Sequence, residues 1–282
     1  MAKLIVGRSL ADTDVLWRYM PLDKFIDLVS TRTLFFAPLA WYAKSDPFEG
    51  YLPKVAMDAI ASISRKFRDE QLQLMRSLFS NVPEPHSIEI EKLRESVEGH
   101  VPQTRSLFKN ISSCLMVNCW YRSDHESEGM WGRYSKDGVA VRTSIGALKK
   151  AFVSDAQQPV VHLGAVKYLD FASQNLVPSD CVTDDGQLMG MIKRMAYAHE
   201  REVRMYVTGE RSARDLTIHT PASTKISVDV DALVEGVIVS PLGDRALEDA
   251  VKTVCRWADV DERLVTKSKL LDDCEALLDV YN

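Results

Sequence analysis

The residues best equipped for chemistry stand in Glu200-Arg201-Glu202-Val203-Arg204-Met205, where two carboxylates lie one residue apart beside an arginine. In an extended chain, alternation puts Glu200, Glu202 and Arg204 on one face and sends Val203, Met205 and Val207 to the other, core-facing one. Paired carboxylates can stabilise developing positive charge and orient or deprotonate an attacking group. The bland alternative is a solvated edge strand with Glu202 and Arg204 as a surface pair, worth about 1 kcal/mol or less. Spacing alone does not choose, because Glu89-Ile90-Glu91 and Glu126-Ser127-Glu128 repeat the pattern.

Other polar residues sit in contexts that aim them. Arg18 is set into the β-branched and aromatic run Val15-Leu16-Trp17-Arg18-Tyr19, so it either snorkels from an edge or faces a ligand. In Lys44-Ser45-Asp46-Pro47-Phe48-Glu49-Gly50 the proline holds Asp46 extended or turned. Asp46 and Glu49 can then point to one place, or Asp46 can cap a turn that Phe48 anchors. Trp131 and Tyr134 share one helical turn, as core or as a stacking surface. Thr143 and Ser144 end the strand that starts at Gly138, with Ser144 the expected cap of a helix from Ile145 to Phe152. No Gly-rich phosphate loop, H-E-x-x-H or Ser-His-Asp pattern occurs, and no metal site is expected, since Cys114 and Cys119 face opposite sides of one strand.

These groups need a scaffold. Leu22, Phe25, Ile26 and Val29 make a helical stripe between strands at 15–19 and 33–37. Residues 54–110 are charged and helically periodic, an insertion broken at Asn81-Val82-Pro83-Glu84-Pro85 and kinked near Gly99 to Pro102. Strands follow at 111–120, 138–144 and 160–168, then a loop from Ser173 to Gly186. Lys193 to His199 reads as a basic helical pattern that turns into the strand carrying Glu202. Strands at 225–230, 236–241 and 264–266 flank a helix from Asp244 to Ala258. The whole, 1–282, is expected to be one α+β domain with a mixed, mostly antiparallel central sheet.

Composition limits the partners. The 282 residues are 46% hydrophobic and 27% charged, ordinary for a globular chain, and no apolar run approaches the roughly 20 residues of a membrane span. The start is too short for a signal peptide, and five cysteines without paired spacing suit a reducing compartment, so a cytoplasmic protein is expected. A net charge of −5 gives no general pull toward nucleic acid, while leaving room for a local basic groove.

Leu16-Trp17-Arg18-Tyr19, Asp46-Pro47-Phe48-Glu49, Met130-Trp131 with Tyr134, Gly138-Val139-Ala140-Val141, Glu200-Arg201-Glu202-Val203-Arg204, Val237-Ile238-Val239-Ser240-Pro241 and Ser268-Lys269-Leu270 resemble an uncharacterised bacterial family, a domain of unknown function. The order Arg18, Thr143-Ser144, Glu200-Arg201-Glu202-Val203 also resembles the mono-ADP-ribosyltransferases of the bacterial toxin type, with Arg142 in place of the first serine of their middle motif. That second resemblance implies a sheet of the ADP-ribosyltransferase type and NAD as substrate. It implies that Glu202 stabilises the ribosyl cation, that Glu200 orients the acceptor and that Arg18 meets the pyrophosphate. Thr143 or Ser144 would orient the ribose or Glu202, Trp131 or Tyr134 would stack on nicotinamide, and Tyr19 would belong to the same cofactor-binding set. The acceptor would be a macromolecule, protein or nucleic acid, and the biology that of a toxin or phage-defence factor, with a partner protein or antitoxin. Two further readings stand beside it. One is a non-catalytic sensor or interaction domain in which Asp46, Glu49, Glu202 and Arg204 form a buried polar network. The other is a metal-dependent nuclease on Asp46, Glu49, Glu200 and Glu202, disfavoured because no lysine is expected beside those carboxylates.

Overall fold

The structure is a computed structural model and describes residues 4–80, 87–104, 106, 114–152, 159–188, 190–208 and 222–272. After a short β1 (Leu4–Val6), the chain forms β2 (Val15–Pro21), α1 (Leu22–Thr31) and β3 (Thr33–Pro38). Phe25, Leu28 and Val29 turn the apolar stripe of α1 inward, and Arg32 in the left-handed conformation (φ 50) ends the helix. Helices α2 (Lys54–Phe79) and α3 (Ser87–Glu98) occupy the region of the expected insertion, and the chain is helical again over 100–104. The expected break at Asn81-Val82-Pro83-Glu84-Pro85 and strand start at Ile111-Ser112-Ser113 lie outside the described residues.

The second half supplies β4 (Leu115–Arg122), α4 (Glu128–Tyr134), β5 (Gly138–Ser144), α5 (Ile145–Ala151), β6 (Val161–Ala165), β7 (Lys167–Leu169), β8 (Ile192–Arg194) and β9 (Glu202–Thr208). It closes with β10 (Thr224–Ser227), α6 (Val230–Leu233), β11 (Gly236–Val239), α7 (Arg245–Trp257) and β12 (Val265–Lys267). The fold is α+β around an open, mostly antiparallel sheet in the order β1-β6-β9-β4-β2-β5-β11-β12, with β3 joining at β4 and β10 at β3. Among the described residues only the β1–β6 and β11–β12 pairings in that sheet are parallel.

Three local expectations need correction. Residues 160–168 are two strands, because the chain changes partner: β6 pairs with β9, whereas Lys167 donates to the Met191 carbonyl and starts a separate parallel pairing with β8. The stretch from Lys193 is not helical; Lys193 and Arg194 belong to β8, and Met195–Glu200 is a 3-10 turn. The strand expected at 225–230 stops at Ser227, where Asp229 accepts from the Asp231 and Ala232 amides and caps α6.

One face of the sheet carries the main core, where Val203, Met205 and Val207 of β9 pack with Leu163, Val139, Val141 and Trp120. Each such buried side chain contributes about 1.5–3 kcal/mol. The opposite face of β9 carries Glu202 and Arg204, set beside Tyr121 and Cys119 of β4 by the strand register. The first turns of α2 brace this side: Ala56, with Val55, Met57 and Ile60, packs on Cys181 and Ile192, so β8 is held where Lys193 can reach β9.

Candidate functional site

Four separate segments deliver charge to one place. In the turn after β3, Asp46 Oδ1 accepts from the Phe48 amide at 3.1 Å and Glu49 follows on the next bend, its carboxylate buried. Phe48 packs edge-on against Phe171, with the Arg194 guanidinium over its ring at 4.7 Å. The turn therefore does both things the sequence allowed: it is capped by Asp46 and anchored by Phe48, and it sends Glu49 inward. From β8 comes Lys193, and from β9 come Glu202 and Arg204.

Glu200 arrives by a route alternation did not foresee. It ends the 3-10 turn, and Arg201 takes the left-handed conformation (φ 38) before β9 begins. The reversal keeps Glu200 and Glu202 on the same side, both buried. A non-glycine residue in that region costs about 1–2 kcal/mol. Arg201→Gly is accordingly expected to leave stability within about 1 kcal/mol of the parent, strain relief offsetting the freer unfolded chain. Arg201→Val should lower stability by about 1–3 kcal/mol. Urea unfolding of the two variants checks this, and a valine variant as stable as the parent contradicts it.

The convergence is a saturated ionic hub. Lys193 Nζ lies 2.6 Å from Glu200, 3.0 Å from Glu202 and 3.4 Å from Glu49. Arg204 donates from Nε to Glu202 Oε1 at 2.7 Å, from Nη2 to Glu202 Oε2 at 3.1 Å, and from Nη1 to Glu49 at 2.8 Å and to the Gly190 carbonyl. Gly190 presents that carbonyl from a φ of +73, where a side chain would be strained and its Cβ would press on Leu115. Three carboxylates thus face two cations. The uncompensated charge is met at the rim, where Arg133 stands 3.7 Å from Glu200 and Tyr134 donates its hydroxyl to Glu200 at 3.0 Å.

The electrostatics follow from burial and these pairs. Burial alone would raise the Glu202 carboxyl, but Arg204 and Lys193 outweigh it and hold Glu202 well below the usual carboxylate range. Burial alone would lower Lys193, and the surrounding Glu202, Glu49 and Glu200 raise it instead. The Tyr134 hydroxyl is pushed up to about 12 by burial and by Glu200, so it stays a donor. Burial and the nearby Glu202 push the Cys119 thiol up, leaving it protonated and a poor nucleophile.

Above the hub is a cavity of about 190 Å³, walled by Trp17, Tyr19, Tyr42, Tyr121, Tyr134 and Tyr197. The charged residues Arg18, Asp46, Glu49, Arg133, Lys193, Glu200, Glu202 and Arg204 also line it. Arg18 gets there through a fork in the sheet: β2 pairs with β4 only at Leu16 and Trp17, and β3 takes over on β4 from Ala37. In that gap the guanidinium sits 5.8 Å over the Trp120 ring, near Tyr42 and Cys119, and its Nη1 is sealed from solvent without a hydrogen-bond partner. Burial draws its pKa down. The hydroxyl of Tyr19 accepts from the Ser127 amide at 2.8 Å while its ring meets Trp131 edge-on.

Arg18, Tyr19, Asp46, Glu49, Tyr134, Glu200, Glu202 and Arg204 are therefore brought together, and three expected residues are not. Thr143 follows Val139 and Val141 on the opposite, core face of β5, fully buried with its hydroxyl unpartnered. Ser144 caps α5 by accepting from Ala147 and binds Glu235. Trp131 is buried beneath the cavity wall, its indole N–H given to Glu126. The expectation that no lysine stands beside the carboxylates is overturned by Lys193, which hides nine residues before Glu202 because a parallel pairing, invisible in the local pattern, brings β8 alongside. Tyr42 and Arg133 were missed as well; only the aromatic and basic character of their segments hinted at them. Among the described residues no group of three or more His, Cys, Asp or Glu can hold a metal ion, since the converging carboxylates are occupied by cations. Among the same residues no helix is long and apolar enough to cross a membrane.

No protein-family model, curated protein or solved structure matches this chain.

Proposed function

We propose that the cavity binds the nicotinamide–ribose end of NAD and that the chain cleaves the nicotinamide–ribose bond, passing ADP-ribose to a macromolecular acceptor or to water. The observation that carries this reading is the buried Arg18 guanidinium, which makes no hydrogen bond or ion pair with the described residues and lines the same aromatic-walled cavity as Glu200 and Glu202. A sealed guanidinium N–H without a partner costs about 1–3 kcal/mol, and an anionic oxygen brought to it recovers that cost. At about 190 Å³ the cavity is smaller than the roughly 300–1,000 Å³ of a site that swallows a whole ligand, so it suits the nicotinamide ring, its sugar and an adjoining pyrophosphate oxygen on Arg18, with the adenosine outside.

The roles follow from the partners of each carboxylate. As the nicotinamide bond breaks, positive charge grows on the ribose; Glu202, ionised throughout the ordinary pH range and fixed by Arg204, is a carboxylate that need not reorganise to meet it. Glu200 is as buried as Glu202, but its partners Tyr134 and Arg133 are half-exposed, so it faces the side from which an acceptor would approach. The sheet of the ADP-ribosyltransferase type and the toxin or phage-defence role belong to this proposal. The test is direct: purified protein incubated with NAD labelled in the adenine moiety should release nicotinamide, with label on protein, on nucleic acid or in free ADP-ribose. NAD left intact in the presence of cell extract, with no NAD binding, rules the reading out.

A non-catalytic sensor is favoured by one specific observation: Glu202 already receives Arg204 twice and Lys193 once. On that reading NAD binds and is not consumed.

A further inference from the structure

Five buried side-chain polar atoms in the described residues have no hydrogen-bond partner: Arg18 Nη1, Asp46 Oδ2, Thr143 Oγ1, Gln187 Oε1 and Arg194 Nε. Two belong to residues that line the cavity, Arg18 and Asp46, and they have opposite polarity. Asp46 is 3% exposed, and its two oxygens are used unequally. Oδ1 takes everything the fold asks of the residue, accepting the Phe48 amide at 3.1 Å and Arg194 Nη2 at 2.6 Å. Oδ2 accepts nothing. A carboxylate oxygen sealed from water with no donor is a standing cost that a donor carried by an occupant removes.

We propose that Asp46 is a specificity-determining residue of this cavity, its free Oδ2 accepting a hydrogen bond from the carboxamide N–H of the nicotinamide ring and so selecting the amide form of the dinucleotide against the nicotinic acid form. This deepens the NAD reading and rests on it. The acid form has no amide donor and places a second carboxylate against Asp46, so it loses the bond and adds a repulsion. A hydrogen bond to a charged group supports a discrimination of about tenfold to a hundredfold.

Substitution gives a sign as well as a size. In Asp46→Asn the side-chain oxygen must stay at the Oδ1 position, because the Phe48 amide and Arg194 both donate there. The new amide nitrogen then occupies the Oδ2 position and donates. The preference should therefore invert, with the nicotinic acid dinucleotide bound several-fold tighter than NAD.

The experiment is equilibrium binding of NAD and of nicotinic acid adenine dinucleotide to the full chain, with initial rates where turnover occurs, followed by the same pair on Asp46→Asn. The expected result is a preference of about tenfold or more for NAD in the parent, reversed in the variant. Equal binding of the two by the parent overturns this inference and leaves the NAD reading standing. Binding of neither removes both. Because the parent comparison needs no variant, a misfolded Asp46→Asn protein does not shield the proposal. A folded variant that still prefers NAD as strongly as the parent overturns it.

Discussion

Replacing Arg204 by methionine should lower stability by about 3–5 kcal/mol and the melting temperature by on the order of 10 °C. Arg204 is 2% exposed and serves Glu202, Glu49 and the Gly190 carbonyl at once. The cost of its loss comes less from the attraction removed than from the carboxylates left behind, buried with only Lys193 between them. The triple change of Arg204→Met with Glu49→Gln and Glu202→Gln should recover much of the loss, since no buried anion of that cluster remains unpaired there. Calorimetry on the single and triple variants decides it. A single variant that melts within about 2 °C of the parent would show that the hub contributes little to folding.

The same hub sets a pH window. Glu202 has a folded pKa below its unfolded one, so its contribution is present above the ordinary carboxylate pKa and is lost as pH falls through the folded value. Lys193 has a raised folded pKa, so its contribution is fully present below the ordinary lysine pKa and is lost as pH rises through the folded value. Stability measured by urea unfolding is therefore expected to be flat from about pH 5 to about pH 10 as far as these two groups decide it, and to fall on the acid side first. In Arg204→Met the acid-side loss should be smaller and complete at a higher pH, because Glu202 keeps one cation instead of two and its folded pKa is less depressed.

The parts legible in the sequence were those with a local cause. Alternation in Val203-Arg204-Met205 correctly separates the core face from the polar face, since burial of Val203 and Met205 forces it. The cap at Ser144 and the Asp46 turn follow from side chains that bond their own backbone. What was hidden is non-local. Lys193 reads as part of a basic helix until the parallel pairing of β7 with β8 is known, and nothing in its neighbours announces that pairing. Thr143 fails for a related reason: a strand's phase decides which side of the sheet a hydroxyl meets, and the phase of β5 is fixed by Val139 and Val141 entering the core. Arg18 shows the converse, since alternation groups it with the core residues Leu16 and Met20, and only the fork between β2 and β4 lets it reach the cavity.

The largest effect expected on chemistry is a separation of two activities between neighbouring glutamates. On the proposed reading, Glu202→Gln removes the charge beside the developing ribosyl cation and should cost about 10²–10³ in both NAD hydrolysis and transfer. It should also lower stability, because glutamine leaves Arg204 and Lys193 short of an anion. Glu200→Gln acts on the side where the carboxylate meets Tyr134 and Arg133. There the loss should fall on transfer, about 10²–10⁴ if Glu200 takes or orients the acceptor proton, while slow hydrolysis persists because water needs no such orientation and Glu202 is intact. Lys193 also binds Glu200, so a purely structural Glu200 would disturb Glu202 through that lysine and lower both activities together. Measuring nicotinamide release and label transfer side by side on each variant, with melting temperatures, distinguishes the cases. Equal loss of both activities in Glu200→Gln refutes the division of roles, and unchanged NAD consumption in a folded Glu202→Gln protein removes Glu202 from the chemistry.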